Sequence, residues 1–123
     1  MLRVQTPTDG AKNAAVEVIV SDTKDLPWTT VVDLLKLKSP NPKRVRIDEI
    51  YYAISDKVEV QIAWHHPDGD RHELMPLAGR GRFCFAATQP SAPTGDHSGN
   101  IEIRTIGLQP GQLVYLMFDM TKQ

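Results

Sequence analysis

The chain has 123 residues, of which 41% are hydrophobic and 24% are charged. These values are ordinary for one globular domain, and no apolar run approaches the ~20 residues of a membrane-spanning helix. Fourteen basic residues against fifteen acidic ones give a formal net charge of −1, whereas proteins that neutralise many phosphates carry a clear basic excess. The start of the sequence lacks the apolar segment of a secretory signal. We therefore expect a protein made in the cytosol, whose main partner is neither a membrane nor a nucleic acid.

The first thirteen residues are mostly polar and include proline and glycine. A segment of this composition buries too little apolar surface to offset the entropy that it loses on ordering. The sequence therefore predicts two parts, a flexible polar N-terminal arm over residues 1–13 and a β-sandwich domain over residues 14–123.

Alternation of apolar and polar residues predicts strands in the larger part. It is visible over residues 16–20 and clearest over residues 58–64, where Val, Val, Ile and Trp occupy every second position. Residues 29–34 begin with four β-branched side chains, which favour a strand over a short helix capped by Asp25.

Residues 45–54 form a predicted strand whose apolar phase shifts by one residue at Asp48–Glu49. A β-bulge produces such a shift, and a helix over residues 48–54 is the alternative. Pro110–Gly111 suits the two central positions of a type II turn before the last strand. The remaining predicted strands cover residues 73–77, 83–86, 101–106 and 113–120.

Seven or eight strands at this spacing, with no long helical period, predict an all-β fold. The expected architecture is a single-domain β-sandwich, resembling a jelly roll, with about 7–8 antiparallel strands. Residues 87–99, rich in proline and glycine, are predicted to form a long loop, and loops of this length in compact domains are usually functional or flexible.

The densest group of metal-ligand types lies in the predicted hairpin over residues 65–73. If that hairpin closes without a bulge around Asp68–Gly69, His65 faces His72 and the two imidazoles can meet a divalent ion; a bulged turn separates them. The segment matches no zinc-binding pattern, so we favour a solvated hairpin tip. Asp96 and His97 could add a third ligand only through folding that the sequence does not reveal.

Catalytic signatures are missing from the sequence, and we expect neither an enzyme nor a cofactor. There is no Gly-x-Ser-x-Gly elbow, and Gly79 and Gly81 lack the third glycine of a dinucleotide loop, so they indicate a bulge or a tight corner. The single cysteine, Cys84, stands between two phenylalanines and is predicted to be a buried structural thiol. Arg80 and Arg82 project to one side of an extended segment, where we favour a solvated edge over a face that binds an acidic surface.

Four aromatic residues suggest a platform for sugar rings, the kind of site that carbohydrate-binding sandwiches present. They are Trp28, Tyr51, Tyr52 and Trp64. Trp64 is in phase with the apolar residues of its strand, so we favour a place in the core for it.

Several short segments resemble a family of small virion proteins of tailed bacteriophages. The resemblance covers roughly residues 16–123. Its motifs are TVVDL at 30–34, RIDEIYYAI at 46–54, the strand at 58–64, LAGRGRF at 77–83, GNI at 99–101, TIG at 105–107 and the final strand at 115–123.

The resemblance implies a β-sandwich that decorates or cements an icosahedral phage capsid, and it carries no catalytic residues. It implies a location in the virion after assembly in the host cytoplasm. The implied partners are the major capsid protein and further copies of the chain, as a small homo-oligomer such as a trimer. The alternative is a carbohydrate-binding module or another minor head or tail component that takes part in host attachment.

Overall fold

A computed structural model describes residues 1–38, 42–66, 71–85 and 98–123. The described residues form nine strands and one short 3₁₀ helix, and none of their helices is long and apolar enough to cross a membrane. The strands are β1 (Leu2–Asp9), β2 (Asn13–Val20), β3 (Thr29–Val32), β4 (Val45–Ile54), β5 (Glu59–Trp64), β6 (His72–Leu77), β7 (Arg80–Cys84), β8 (Ile101–Ile106) and β9 (Val114–Lys122), and the 3₁₀ helix is Leu34–Lys36.

The strands form two antiparallel sheets that pack as a sandwich. One sheet has the order β1-β2-β9-β4-β7 and the other has the order β3-β8-β5-β6. Strands β2 to β9 thus occupy two four-stranded layers in jelly-roll order, and β1 is an additional edge strand. The predicted all-β sandwich is confirmed, with nine described strands where about seven or eight were expected.

Side-chain alternation builds the core between the two sheets. Every second residue of β2 and β9 is buried, and Trp64 and Phe118 are the largest side chains with less than 2% exposure. Because neighbouring residues of a strand project to opposite faces, one set fills the sandwich and the other covers its outside. Trp64 therefore belongs to the core, as its phase predicted.

The N-terminal segment differs from the predicted arm, because residues Leu2–Asp9 form β1 and pair with β2 from Leu2↔Val20 to Asp9↔Ala14. Most of its side chains are exposed, so the segment has little apolar pattern for sequence reasoning to detect. Its place in the sheet depends on backbone hydrogen bonds, which nearly every residue type can form and which composition therefore does not predict.

The predicted bulge in β4 is confirmed by a register shift against β9 between Ile47 and Glu49. The carboxylate of Asp48, at the bulge, accepts hydrogen bonds from Arg46 Nε at 3.0 Å and from Thr121 Oγ1 at 2.6 Å. These bonds tie the irregular residue to its own strand and to the neighbouring strand β9.

The strand predicted over residues 29–34 ends at Val32. Asp33 then caps the 3₁₀ helix, because its Oδ1 accepts a hydrogen bond from the Leu35 backbone N–H at 3.0 Å.

Two predicted turns have the expected backbone. The Gln112 N–H donates to the Gln109 carbonyl at 3.1 Å and Gly111 has φ +85°, as a type II turn requires. Gly79, with φ +75°, forms the tight corner between β6 and β7.

Candidate functional site

The candidate metal pair His65 and His72 is not brought face to face. The β5–β6 register shifts between Ile62 and Ala63, so that Trp64 pairs with His72. Of the two arrangements that the sequence left open, the described residues have the bulged one, which separates the two imidazoles. Residues 67–70, at the predicted hairpin tip, and Asp96 and His97 lie outside the described residues, and within the described part of the chain no three metal-ligand side chains converge.

His65 instead belongs to a polar group around a buried carboxylate. Its Nδ1 lies 2.8 Å from Ser98 Oγ and its Nε2 lies 3.7 Å from Glu102 Oε1. The Glu102 side chain is only 6% exposed, and its Oε2 accepts a hydrogen bond from Arg71 Nε at 2.5 Å. A buried carboxylate needs such a partner, so this group joins β8 to the facing ends of β5 and β6.

Trp28, a predicted sugar platform, is already in contact with cations. The guanidinium carbons of Arg71 and Arg104 lie over its ring, at 5.0 and 4.9 Å from the centroid, within the range of a cation–π interaction. Arg104 is held in turn by Gln61, whose Oε1 accepts from Arg104 Nε at 2.6 Å. A sugar that stacked on a covered part of this ring would have to displace a guanidinium group.

The outer face of the five-stranded sheet carries an apolar centre with arginines at both edges. Its side chains stand on the strand positions that alternate with the buried ones. Two rows of paired residues cross all five strands, Arg3–Ile19–Tyr115–Ala53–Arg80 and Gln5–Glu17–Met117–Tyr51–Arg82. The sequence did not predict these rows. Its one indication of an apolar outer face was Ile19, which alternates with the buried residues of β2 and so projects outward.

The strand β7 forms one edge of this sheet and pairs, among the described strands, with β4 alone. All five of its residues are exposed, including Phe83 at 42%. Cys84 is exposed as well, so the prediction of a buried thiol is wrong. The reason is that Cys84 stands on the outer face, in phase with Arg80 and Arg82, in a strand that has no neighbour beyond it among the described strands.

Backbone hydrogen bonds show which side of β7 is open. Ile54 N–H donates to the Gly79 carbonyl at 2.7 Å, and Phe85 N–H donates to the Asp48 carbonyl at 3.0 Å. In an antiparallel ladder, alternate residues exchange both bonds with one neighbour. Gly79, Gly81, Phe83 and Phe85 therefore face β4, and Arg80, Arg82 and Cys84 direct their N–H and C=O groups away from the sheet.

Carboxylates lie beside one end of this edge. Glu49 accepts hydrogen bonds from the Tyr51 hydroxyl and the Cys84 thiol, and these bonds, with the nearby Arg82 charge, lower the pKa of Glu49. Burial raises the pKa of Asp119, and the negative charges of Asp48 and Glu49 add to that increase. The surface is thus acidic near Cys84.

The basic end lies around Arg80, which pairs with Ala53 in the sheet. No described residue forms an ion pair with Arg80. Arg80 and Arg82 were predicted to project to the same side. They do so, because residues two positions apart in a strand lie on the same face of the sheet.

A groove with a volume of about 340 Å³ lies beside β5 and β6. Its polar side chains are Glu59, Gln61 and Glu73. Gln61 is already engaged, because it donates to Glu59 Oε2 at 3.1 Å. The open edge of β7 therefore remains the more distinctive candidate site.

The segment LAGRGRF at 77–83, one of the motifs of the phage-protein resemblance, lies at this edge. It includes the last residue of β6, the corner at Gly79 and most of β7. No protein-family model matches the sequence, and no curated protein matches it.

Proposed function

We propose that the chain is a virion structural protein of a tailed bacteriophage, a capsid decoration or cement protein that binds the surface of the major capsid protein and stabilises the shell. The single observation that carries the proposal is the edge strand β7, whose five residues are all exposed and whose first four belong to the LAGRGRF motif of the phage-protein resemblance. An exposed strand edge is a ready template for pairing with another chain.

The sandwich suits this role because its contacts are surfaces and not a catalytic pocket. A two-layer core holds β7 and the outer face of its sheet in one fixed arrangement, so little ordering entropy is lost on docking. A small homo-oligomer, for example a trimer on a symmetry axis, would repeat one modest contact and gain avidity from the repetition.

The alternative role, a carbohydrate-binding module for host attachment, requires a free aromatic face. Trp28 supports it poorly, because two guanidinium groups already lie over that ring. Trp64 supports it poorly as well, since it is 1% exposed. Among the four aromatic candidates only Tyr51 is more than a third exposed, at 38%.

The test mixes the purified chain with expanded capsids that lack it and measures co-sedimentation, followed by imaging of the particles. We expect stoichiometric binding at repeated positions on the capsid surface and a higher temperature of capsid disruption. Absence of the chain from sedimented capsids at micromolar concentration would refute the decoration role. A glycan array with the same preparation tests the alternative, which predicts sugar binding that is lost in Tyr51→Ala.

A further inference from the structure

We propose that the open edge of β7 binds an extended acidic segment of the partner protein by strand addition. This inference rests on the proposed docking function and names the chemistry of the partner. The added strand would continue the five-stranded sheet beyond β7, with carboxylate side chains beside Arg80 and Arg82.

The backbone of β7 supplies the main contact. Arg80, Arg82 and Cys84 each direct one N–H and one C=O away from β4, as the bonds at Gly79 and Phe85 require. A segment of five or six residues in extended conformation can bond to all three in an antiparallel ladder. Main-chain bonds of this type bind strongly but carry no sequence preference, so side chains must select the partner.

The arginines of this edge select for acidic side chains, chiefly through Arg80, because Arg82 already lies beside Glu49 and Tyr51. Arg80 and Arg82 lie two positions apart on the outer face of the sheet, at the same spacing as alternate residues of an added strand. Arg80 forms no ion pair with a described residue, and its row across the sheet continues through Ala53, Tyr115 and Ile19 without a carboxylate. A carboxylate of the partner would give this charge its counterpart.

The inner side of the same edge selects for apolar residues. Phe83 pairs with the core residue Ile50, yet remains 42% exposed because no strand lies beyond it in the described sheet. Its ring stands 4.8 Å from that of Phe85, centroid to centroid. The preferred segment therefore alternates acidic and apolar residues, with the apolar ones covering Phe83.

A second copy of the chain is a poorer occupant of this edge. If two β7 strands pair antiparallel through their open sides, the fully overlapping register places Arg82 opposite its own counterpart, and a shift of two residues places it opposite Arg80 or Cys84 of the other copy. Like charges directly opposite each other in a sheet are destabilising. The two arginines thus discourage self-pairing of the edge and favour an acidic strand.

The test uses the purified full-length chain and the peptide acetyl-Thr-Glu-Val-Glu-Val-Thr-amide, followed by two-dimensional NMR of the ¹⁵N-labelled protein. We expect chemical-shift changes centred on the amides of Arg80, Arg82 and Cys84. The same peptide with lysine in place of glutamate should bind at least about fivefold more weakly. A third peptide, N-methylated at both glutamates, keeps the charge but cannot donate the ladder bonds, and it should not bind at this edge.

Charge variants locate the site. Arg80→Glu should weaken binding of the acidic peptide at least about fivefold and favour the lysine peptide. Arg3→Glu makes the same charge change at the opposite edge of the same sheet, and its affinity should stay within about twofold of the unmodified chain.

Equal binding of the N-methylated peptide, shift changes centred away from β7, or no binding of the acidic peptide would each overturn strand addition. Capsid co-sedimentation gives an independent readout. If capsids bind while the acidic peptide does not, the decoration role stands and the strand-addition inference is lost. If the peptide binds while capsids do not, the inference about β7 stands and the capsid is the wrong partner.

Discussion

Lys122 Nζ lies 2.5 Å from Asp9 Oδ1, and the two side chains are only 6% and 8% exposed. The ammonium also donates to the Gly10 carbonyl at 2.7 Å, and the Lys38 N–H donates to Asp9 Oδ2 at 2.8 Å. This pair joins the β1–β2 corner to the end of β9, so it anchors the strand that sequence reasoning assigned to a polar arm.

Removal of one partner from this pair should destabilise the protein strongly. Lys122→Met leaves the Asp9 carboxylate without its cation in a nearly dry site, at a cost of about 3 kcal/mol in the free energy of unfolding. Urea unfolding monitored by circular dichroism gives the value. Lys24→Met serves as the control, because it removes a lysine from an exposed turn, and a loss as small as that of the control would mean that β1 is held without the ion pair.

Acid should destabilise the protein by protonating Asp25, whose carboxylate holds the start of the loop between β8 and β9. Hydrogen bonds from the Leu108 and Gly107 N–H groups, at 2.7 and 3.1 Å, and from the Thr105 hydroxyl lower the pKa of Asp25 despite partial desolvation. A depressed folded-state pKa contributes stability that is present above the unfolded pKa and is lost as the pH falls through the folded pKa.

The expected result is that Asp25→Asn destabilises the chain at pH 7, and that the difference shrinks in acid as the carboxyl becomes protonated in the folded state as well. Urea unfolding of both chains from pH 7 into acid measures the difference. A destabilisation that stayed constant as the pH fell from 7 until both chains unfold in acid would contradict a role for the charged carboxylate.

Two glycine-to-alanine changes should separate backbone strain from steric clash. Gly79 has φ +75° with no atom near an added Cβ, whereas Gly107 has φ +88° and its Cβ would lie 2.7 Å from the Lys57 carbonyl oxygen. We expect a cost of about 1 kcal/mol for Gly79→Ala, and a larger one for Gly107→Ala because its backbone must also move. Equal losses in thermal unfolding would show that the turn relaxes without cost.

Cys84 should react with a thiol reagent in the native state. The residue is exposed on the edge strand. Labelling by 5,5′-dithiobis(2-nitrobenzoic acid) without denaturant should therefore reach one thiol per chain. Labelling that requires urea would contradict the exposed edge. Acidic peptide bound at β7 should slow the reaction, because the added strand lies beside this residue.

Arg71→Met tests the buried carboxylate of β8. The change removes the Nε donor to Glu102 and one guanidinium over Trp28. Because Glu102 is 6% exposed but Arg71 is 30% exposed, the cost should be at most about 3 kcal/mol, the value for a fully buried pair. The double variant Arg71→Met/Glu102→Leu removes both charges and should recover part of the loss. If the double variant were less stable than the single one by the full cost of a second deletion, the two side chains would be acting independently.

Local sequence pattern determined most of the strands of this protein. Alternation over residues 16–20 and 58–64 identified β2 and β5, and the phase change at Asp48–Glu49 identified the bulge in β4. Pro110–Gly111 identified its turn. These features depend on the two-residue period of extended backbone and on the φ preferences of proline and glycine, which are properties of neighbouring residues alone.

Tertiary structure decided what lies beside each strand, and with it the candidate site. Pairing with β2 placed β1 in the sheet, a one-residue shift separated His65 from His72, and the edge position of β7 exposed Cys84. Two arginines distant in sequence meet at Trp28. Such relationships join residues that are far apart in the chain. Local periodicity predicts which face of a strand a side chain lies on, but it does not predict which residues lie next to it.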